Sequence, residues 1–300
     1  LRDMKRIMLI AMAVCLSVTA WAQDWTKMMS RVEHGTIHSE ALGCDRNYTI
    51  FLPAGYDLDK DRSYPILYLL HGMSDTDRNW YDRGHVKDVM DQLVAGGEVE
   101  PMIIVTPDAG GAPVEEKQNG YFDMEGWPYE KFFFEEFMPY IESNYRVRAE
   151  RGQRGVAGLS MGGGGSTSYA ERHADKFCAC YAMSALMHLP EANAEQLAAG
   201  NKFALLTDAV HRLSCVDYVT SADEERVKTL RTVAWYVDCG DDDFLLDCNL
   251  DFIKALRAAR IPYSLRVRDG GHTWEYWHSA LYNALPFFSR TFLANDRRAE

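Results

Sequence analysis

"RGVAGLSMGGGG", residues 154–165, is the stretch on which the fold turns. A short apolar run leads into Gly158-Leu159-Ser160-Met161-Gly162, and three more glycines follow. Glycine has no Cβ, so the backbone can turn sharply and neighbouring elements can approach closely. A serine held at such a turn is presented rather than packed. This is the G-x-S-x-G pattern of a serine on a sharp strand-to-helix turn. Alone, the pattern also occurs in ordinary glycine-rich turns. It gains meaning if the chain adds a strand before it, a helix after it, a later acid and a still later histidine.

The surroundings supply that context. The near-continuous apolar run 64–72 reads as a strand covered on both faces, further strands are expected at 101–108, 154–160, 177–184, 233–240 and 263–271, and 47–53 is β-rich and alternates. Helical spacing lies between them, at 85–95, 129–145, 161–172, 247–260 and 274–292. In the second of these Phe133, Phe137, Ile141 and Tyr145 share one face. Strands alternating with helices predict an α/β fold: a mostly parallel central sheet with helices on both faces. No Pro/Ser linker or charge block divides the chain, so residues 23–300 are expected to form one domain. Residues 186–223 interrupt the alternation, and an insertion beyond a strand end could cap a cleft there or simply decorate the surface.

A serine hydroxyl is a weak nucleophile and needs a base. On a strand–turn–helix elbow its partners follow in the order Ser, Asp/Glu, His. Of the later histidines, His173 ends a helix and His278 lies on one, whereas His272 sits in a Gly-Gly-His turn just past a strand. The acid should end the preceding strand, where "WYVDCGDDDFLLD" offers Asp241, Asp242 and Asp243, with Asp238 inside the apolar run. Spacing does not choose among the three. An oxyanion would need two backbone N–H groups, one from the residue after the serine, Met161, and one from a loop after an earlier strand. The run "YLLHGMSDTDRNW" points to Met73, with His71 shaping the loop.

The chain has 32 Lys plus Arg against 44 Asp plus Glu, a formal net charge of −12. Such a field repels phosphate backbones and argues against nucleic acid as a partner, while leaving neutral polymers and small neutral esters open. Met4-Lys5-Arg6, the apolar residues 7–20 and the Ala20-Trp21-Ala22 site read as a signal peptide spanning 1–22, with 1–3 before the initiating Met, and imply a secreted or periplasmic protein. The apolar run is shorter than the ~20 residues a membrane span needs. Cys15 raises lipid attachment, but Met12-Ala13-Val14 suits that processing poorly. Six cysteines remain beyond the signal. Free buried thiols are the expectation, and Cys239 with Cys248 is the pair to inspect for a disulfide. With no C-x-x-C pair a structural zinc site is not expected, and serine–histidine–acid chemistry implies no metal or organic cofactor.

"LLHGMSDTDRNW", "FMPYIESNYRV", "GVAGLSMGGGGS", "CGDDDFLL" and "GGHTWEYW", in that order, resemble the esterase family of α/β-hydrolases that includes feruloyl esterases, acetylxylan esterases, S-formylglutathione hydrolase and mycolyltransferases. The likeness runs over about 48–288 and is greatest to the feruloyl-esterase branch. It implies an α/β-hydrolase fold and a serine esterase acting on feruloyl or acetyl esters of plant polysaccharides or their fragments. The family's nucleophile falls on Ser160, its histidine on His272 and its acid on Asp243, with Asp242 as runner-up. Its oxyanion donors fall on Met73 and Met161. The aromatic residues Trp80, Tyr121 and Trp127 lie on connecting loops, where a ring could stack on a sugar or a cinnamoyl group. The alternatives are a small-acyl or thioester hydrolase, an acyltransferase, or a carbohydrate-binding protein on an inactive hydrolase scaffold.

Overall fold

The computed structural model describes residues 28–110 and 120–299. The signal peptide expected over 1–22 lies outside the described residues. Eight strands form one sheet in the order β1-β2-β4-β3-β5-β6-β7-β8. They are β1 (Arg31–Ser39), β2 (Cys44–Leu52), β3 (Ile66–Leu70), β4 (Ile103–Pro107), β5 (Arg154–Leu159), β6 (Ala179–Met183), β7 (Ala234–Gly240) and β8 (Tyr263–Arg268). The pairs β1–β2 and β2–β4 are antiparallel, and every pair from β4 to β8 is parallel. The expected mostly parallel sheet is therefore present, with an antiparallel edge.

Burial explains why these segments are strands. Every residue of β3, β4 and β6 is buried, as continuous apolar runs between two helical layers must be. One layer packs the helices Val86–Ala95 and Trp274–Ala299 over Leu67, Leu69, Ile104 and Tyr181. The other packs the aromatic-rich helical run 129–144, the helix Ser160–Arg172 and the helix Leu246–Ala258 over Tyr68, Val105, Val156 and Val237. Phe133, Phe137 and Ile141 point into this second core, as their spacing requires. The first strand, RVEHGTIHS, lacks a continuous apolar run, because it is an edge strand only partly buried on either side.

Residues 186–223 hold the helices Ala194–Ala198, Lys202–Arg212 and Cys215–Thr220, begun by side-chain caps from Asn193, Asn201 and Ser214. Leu206, Ala209, Val210 and Val219 join the second core, so this insertion is anchored and not a loose flap. The six cysteines of the described residues are free thiols, and Cys239 and Cys248 are not bonded to each other. Burial pushes the Cys178 and Cys180 thiols up to about 12, which leaves them unreactive near neutrality.

The four consecutive glycines answer a packing demand. A Cβ on Gly162 would stand 2.4 Å from the His71 carbonyl oxygen, and one on Gly164 would stand 2.0 Å from that of Leu186. On Gly165 it would meet the Tyr121 ring at 2.9 Å. The helix thus presses bare backbone against three other segments. Because the obstacle at Gly164 is backbone, it cannot swing aside. Gly164→Ala is expected to destabilise the fold by about 1–3 kcal/mol, the usual cost of overpacking. Denaturant unfolding measures this, and an unchanged midpoint would show that the helix has room to move.

Candidate functional site

Ser160 is the first residue of the helix that follows β5, and it adopts a left-handed φ of 53°. A non-glycine residue there is strained, and such strain persists only where the surroundings over-determine it. The surroundings do so through close approach. A Cβ on Gly158 would lie 2.3 Å from the Gly162 carbonyl oxygen, so strand and helix nearly touch across the turn. The Ser160 carbonyl accepts a 2.9 Å hydrogen bond from the Leu186 N–H. The side chain is left partly exposed at the carboxyl end of β5.

His272 reaches Ser160 from a loop beyond β8. Its Nε2 lies 3.0 Å from the serine Oγ, and its Nδ1 lies 3.0 and 2.9 Å from the two carboxylate oxygens of Asp243. The structure therefore brings Asp243, and not the exposed Asp242, to the imidazole. Asp241 caps the histidine loop, accepting from the Gly270 N–H at 3.1 Å. Asp238 lies deeper and accepts hydrogen bonds from the Tyr181 and Tyr276 hydroxyls, each at 2.6 Å. The acid and histidine loops are stitched directly, with the Asp242 N–H bonded to the Gly270 carbonyl at 3.1 Å. A Cβ on Gly240 would fall 1.9 Å from that same carbonyl oxygen. The separation of Asp243 from His272 is thus set by backbone contact.

The carboxylate of Asp243 is fully buried. Burial pushes its pKa up, but hydrogen bonds from His272, Ser184 and the Leu245 N–H outweigh that and hold it below the usual carboxylate value. An ionised, oriented carboxylate on one imidazole nitrogen leaves the other facing a hydroxyl. That arrangement can draw a proton from serine.

Met161 sits in the first turn of its helix, where backbone N–H groups have no partner within the helix. Its side chain is buried, so only its main chain is offered to the site. Met73 follows Gly72, where an added Cβ would lie 3.7 Å from the Ser160 Cβ. His71 shapes this loop from a fully buried position. Its Nε2 accepts from the Ala109 N–H at 3.0 Å, which puts the proton on Nδ1, donating to the Gly72 carbonyl at 2.8 Å.

The structure places the three aromatic residues expected to touch substrate elsewhere. Trp80 is 0% exposed and donates from Nε1 to the Leu70 carbonyl at 3.0 Å. Tyr121, also 0% exposed, accepts from the His71 N–H at 2.8 Å. Trp127 donates to the Gly120 carbonyl and lies under the Arg46 guanidinium. Two of the three are props beneath the loop that carries Met73. A long aromatic residue in a loop reads alike whether it faces a cleft or the core, so sequence could not separate the two.

What does flank the serine is a cleft of about 420 Å³ lined by Met73, Asp75, Arg83, Ser160, His272 and Trp274, among others. No residue of 186–223 is among its described lining residues. Against His272 stands Phe244, 76% exposed, with its ring 4.5 Å from the His272 ring. The sequence reading passed over it. Its one signal was an aromatic residue directly after the triple aspartate. Asp241, Asp242 and Asp269 place three carboxylates within 4.8 Å of one another, but all three are exposed, as surface acids commonly are without an ion.

Comparison with known proteins places the chain among esterases. A ferulic acid esterase of known structure is 57% identical, superposes with a TM-score of 0.85, and aligns over 88% of this chain and 99% of its own. A second ferulic acid esterase, from Anaeromyces mucronatus and solved with ferulic acid, shares the fold at 19% identity and a TM-score of 0.70, over 88% of this chain and 92% of that one. Among curated proteins, an endo-1,4-beta-xylanase/feruloyl esterase of Xylanibacter ruminicola is 31% identical over 49% of this chain, and esterase Rv1288 of Mycobacterium tuberculosis is 29% identical over 81%. The chain spans only 21% and 56% of these two relatives' lengths. The fold is that of the α/β-hydrolases. The family described as "Putative esterase" matches residues 39–288, most of the chain, and the protein belongs to that family.

Proposed function

We propose that the protein is an exported serine carboxylesterase that removes feruloyl or acetyl groups from plant polysaccharides or their fragments through an acyl-enzyme. The observation that carries the reading is the hydrogen-bonded chain from Ser160 through His272 to Asp243 at the carboxyl ends of three parallel strands. Ser160 Oγ attacks the ester carbonyl while His272 Nε2 takes its proton. The C–O bond to the alcohol breaks, and the imidazolium returns the proton to the departing oxygen. Water then attacks the acyl-serine, giving its proton to His272, and the serine leaves with that proton as the free acid forms. Asp243 holds the imidazole in the productive tautomer throughout. The Met73 and Met161 N–H groups face the carbonyl oxygen as it becomes an oxyanion, where each lost donor costs ~10²–10³ in rate.

The aromatic acyl preference is supported by the 57% identical ferulic acid esterase and by the exposed ring of Phe244 beside His272. The signal expected over residues 1–22 and the xylanase named alongside feruloyl esterase in a curated relative suit a carbohydrate ester met outside the cell.

Ser160→Ala is expected to remain folded and lose at least ~10³-fold in turnover of a nitrophenyl ester, the scale of deleting a nucleophile. A variant that keeps most of its rate removes Ser160 from the mechanism. Asp243→Asn is expected to lower kcat by ~10⁴, as loss of the orienting carboxylate does elsewhere. Asp242→Asn, altering an exposed group, should leave kcat close to wild type. The reverse ranking would move the acid by one residue. Phe244→Ala should lower kcat/KM on methyl ferulate by about two- to tenfold, the worth of one aromatic contact, and leave an acetyl ester nearly untouched. Equal losses on both esters would mean that Phe244 only shields His272.

A further inference from the structure

A second concavity, of about 450 Å³, opens at the end of the sheet opposite Ser160. It is bounded by the first residues of β7 and β8, Ala234 and Tyr263, and by the carboxyl-terminal half of the helix Trp274–Ala299. The cleft with Ser160 lies where these parallel strands end, so the two sites occupy opposite edges. The volume falls within the ~300–1,000 Å³ range of small-ligand sites.

Its electrostatics run against those of the rest of the chain. With 44 acidic residues against 32 basic, an average surface groove should carry carboxylates. None lines this one, while Arg231, Arg290 and Arg298 all do. Arg231 is held in place, donating from Nε to the Arg260 carbonyl at 3.2 Å and from Nη2 to the Ala259 carbonyl at 3.1 Å. Arg290 and Arg298 have no hydrogen-bond or ion-pair partner among the described residues. The nearest acid on the same helix, Asp296, is already engaged by Arg148 at 2.8 Å and Gln153 at 2.6 Å. Half-buried rings of Tyr263 and Phe287 supply an apolar wall beside the guanidinium groups. Guanidinium forks match carboxylates bidentately, and ring walls suit planar or pyranose rings.

We propose that this groove is a second, non-catalytic binding site for a carboxylate carried on a ring, either a uronosyl branch of a glycan chain or a free aromatic acid. A uronosyl branch held there would tether the polymer to the enzyme, and a free aromatic acid would be the reaction's own product. The choice of these carboxylates rests on the esterase reading, whereas the groove's charge does not.

The test is calorimetric titration of the full chain with three probes: a xylo-oligosaccharide bearing one glucuronosyl branch, the neutral oligosaccharide of the same length, and free ferulate. The branched probe, ferulate or both should bind, and the neutral one at least about tenfold more weakly, the scale of one charge-assisted hydrogen bond. The double variant Arg290→Gln/Arg298→Gln should weaken that binding by a similar factor, while hydrolysis of a nitrophenyl acetate is unchanged. Added salt should weaken binding in the wild type. Loss of the branched probe's binding in the double variant identifies the polymer as ligand, and loss of ferulate's identifies the product acid. Binding that survives the double substitution, or equal binding of the neutral oligosaccharide, overturns the proposal. A wild type that binds the probes but hydrolyses no ester would sink the esterase reading and leave the groove intact.

Discussion

The site depends on how closely the chain passes itself at Ser160. Strand β5, the helix after it and the loop after β3 meet where ordinary side chains do not fit, and Gly158, Gly162 and Gly72 make the meeting possible. Ser160 takes a left-handed backbone as a consequence. That costs of order 1–3 kcal/mol, which packing around it must offset. The strain is not isolated. Ser74 and Ser184, at φ of 66° and 43°, lie on the Met73 loop and at the end of β6, so three of the five left-handed non-glycine residues of the described chain surround the cleft. Ser184 also accepts from Trp277 Nε1 at 3.0 Å and helps hold Asp243, so its unusual backbone serves the acid directly.

Rigid geometry then spreads outward through paired loops. His272 is placed by Gly270 against Gly240, and Gly270 in turn rests on the Tyr276 ring, 2.6 Å from where its Cβ would be. Tyr276 is fixed by Asp238, the buried acid one residue before Cys239. An aspartate that never meets the histidine thus supports the loop that carries it. The Met73 loop is built the same way, from Trp80, Tyr121 and His71 beneath it. Catalytic groups that must sit within fractions of an ångström need such backing, because side-chain contacts alone would let them drift.

This explains what could be read from sequence. The parallel strands were legible because burial on both faces leaves continuous apolar runs, and Ser160 and His272 because glycines marked the turns that hold them. The acid was not legible from spacing, since three aspartates in a row present identical chemistry; only the family resemblance pointed to Asp243, and the Gly240–Gly270 contact shows how the backbone holds it there. The first strand was missed because an exposed edge carries no apolar run. Trp80, Tyr121 and Trp127 misled for a related reason. An aromatic ring with a polar handle suits a cleft wall and a buried hydrogen bond to a carbonyl equally well, and the difference is a matter of where the loop folds. Phe244 escaped because its one signal, a place directly after the triple aspartate, does not mark which aromatic residue will be left in water.

Two carboxyl groups near Ser160 show how one cleft separates opposing demands. Asp243, held by His272, Ser184 and a backbone N–H, is kept ionised against its burial. Asp75 lines the cleft on the side of Met73, and burial pushes its pKa up, against a weaker pull from His71, Arg83 and the Gly72 backbone. The Asp243 direction suits the proposed chemistry, because negative charge behind the imidazole stabilises the imidazolium. Arg83, 3.9 Å from Asp75 and stacked over Trp274 at 5.3 Å, supplies the countercharge on that side. Divergent environments for neighbouring acids are how a single fold assigns them different work, and here the divergence follows the line from Asp243 through His272 and Ser160 to Met73.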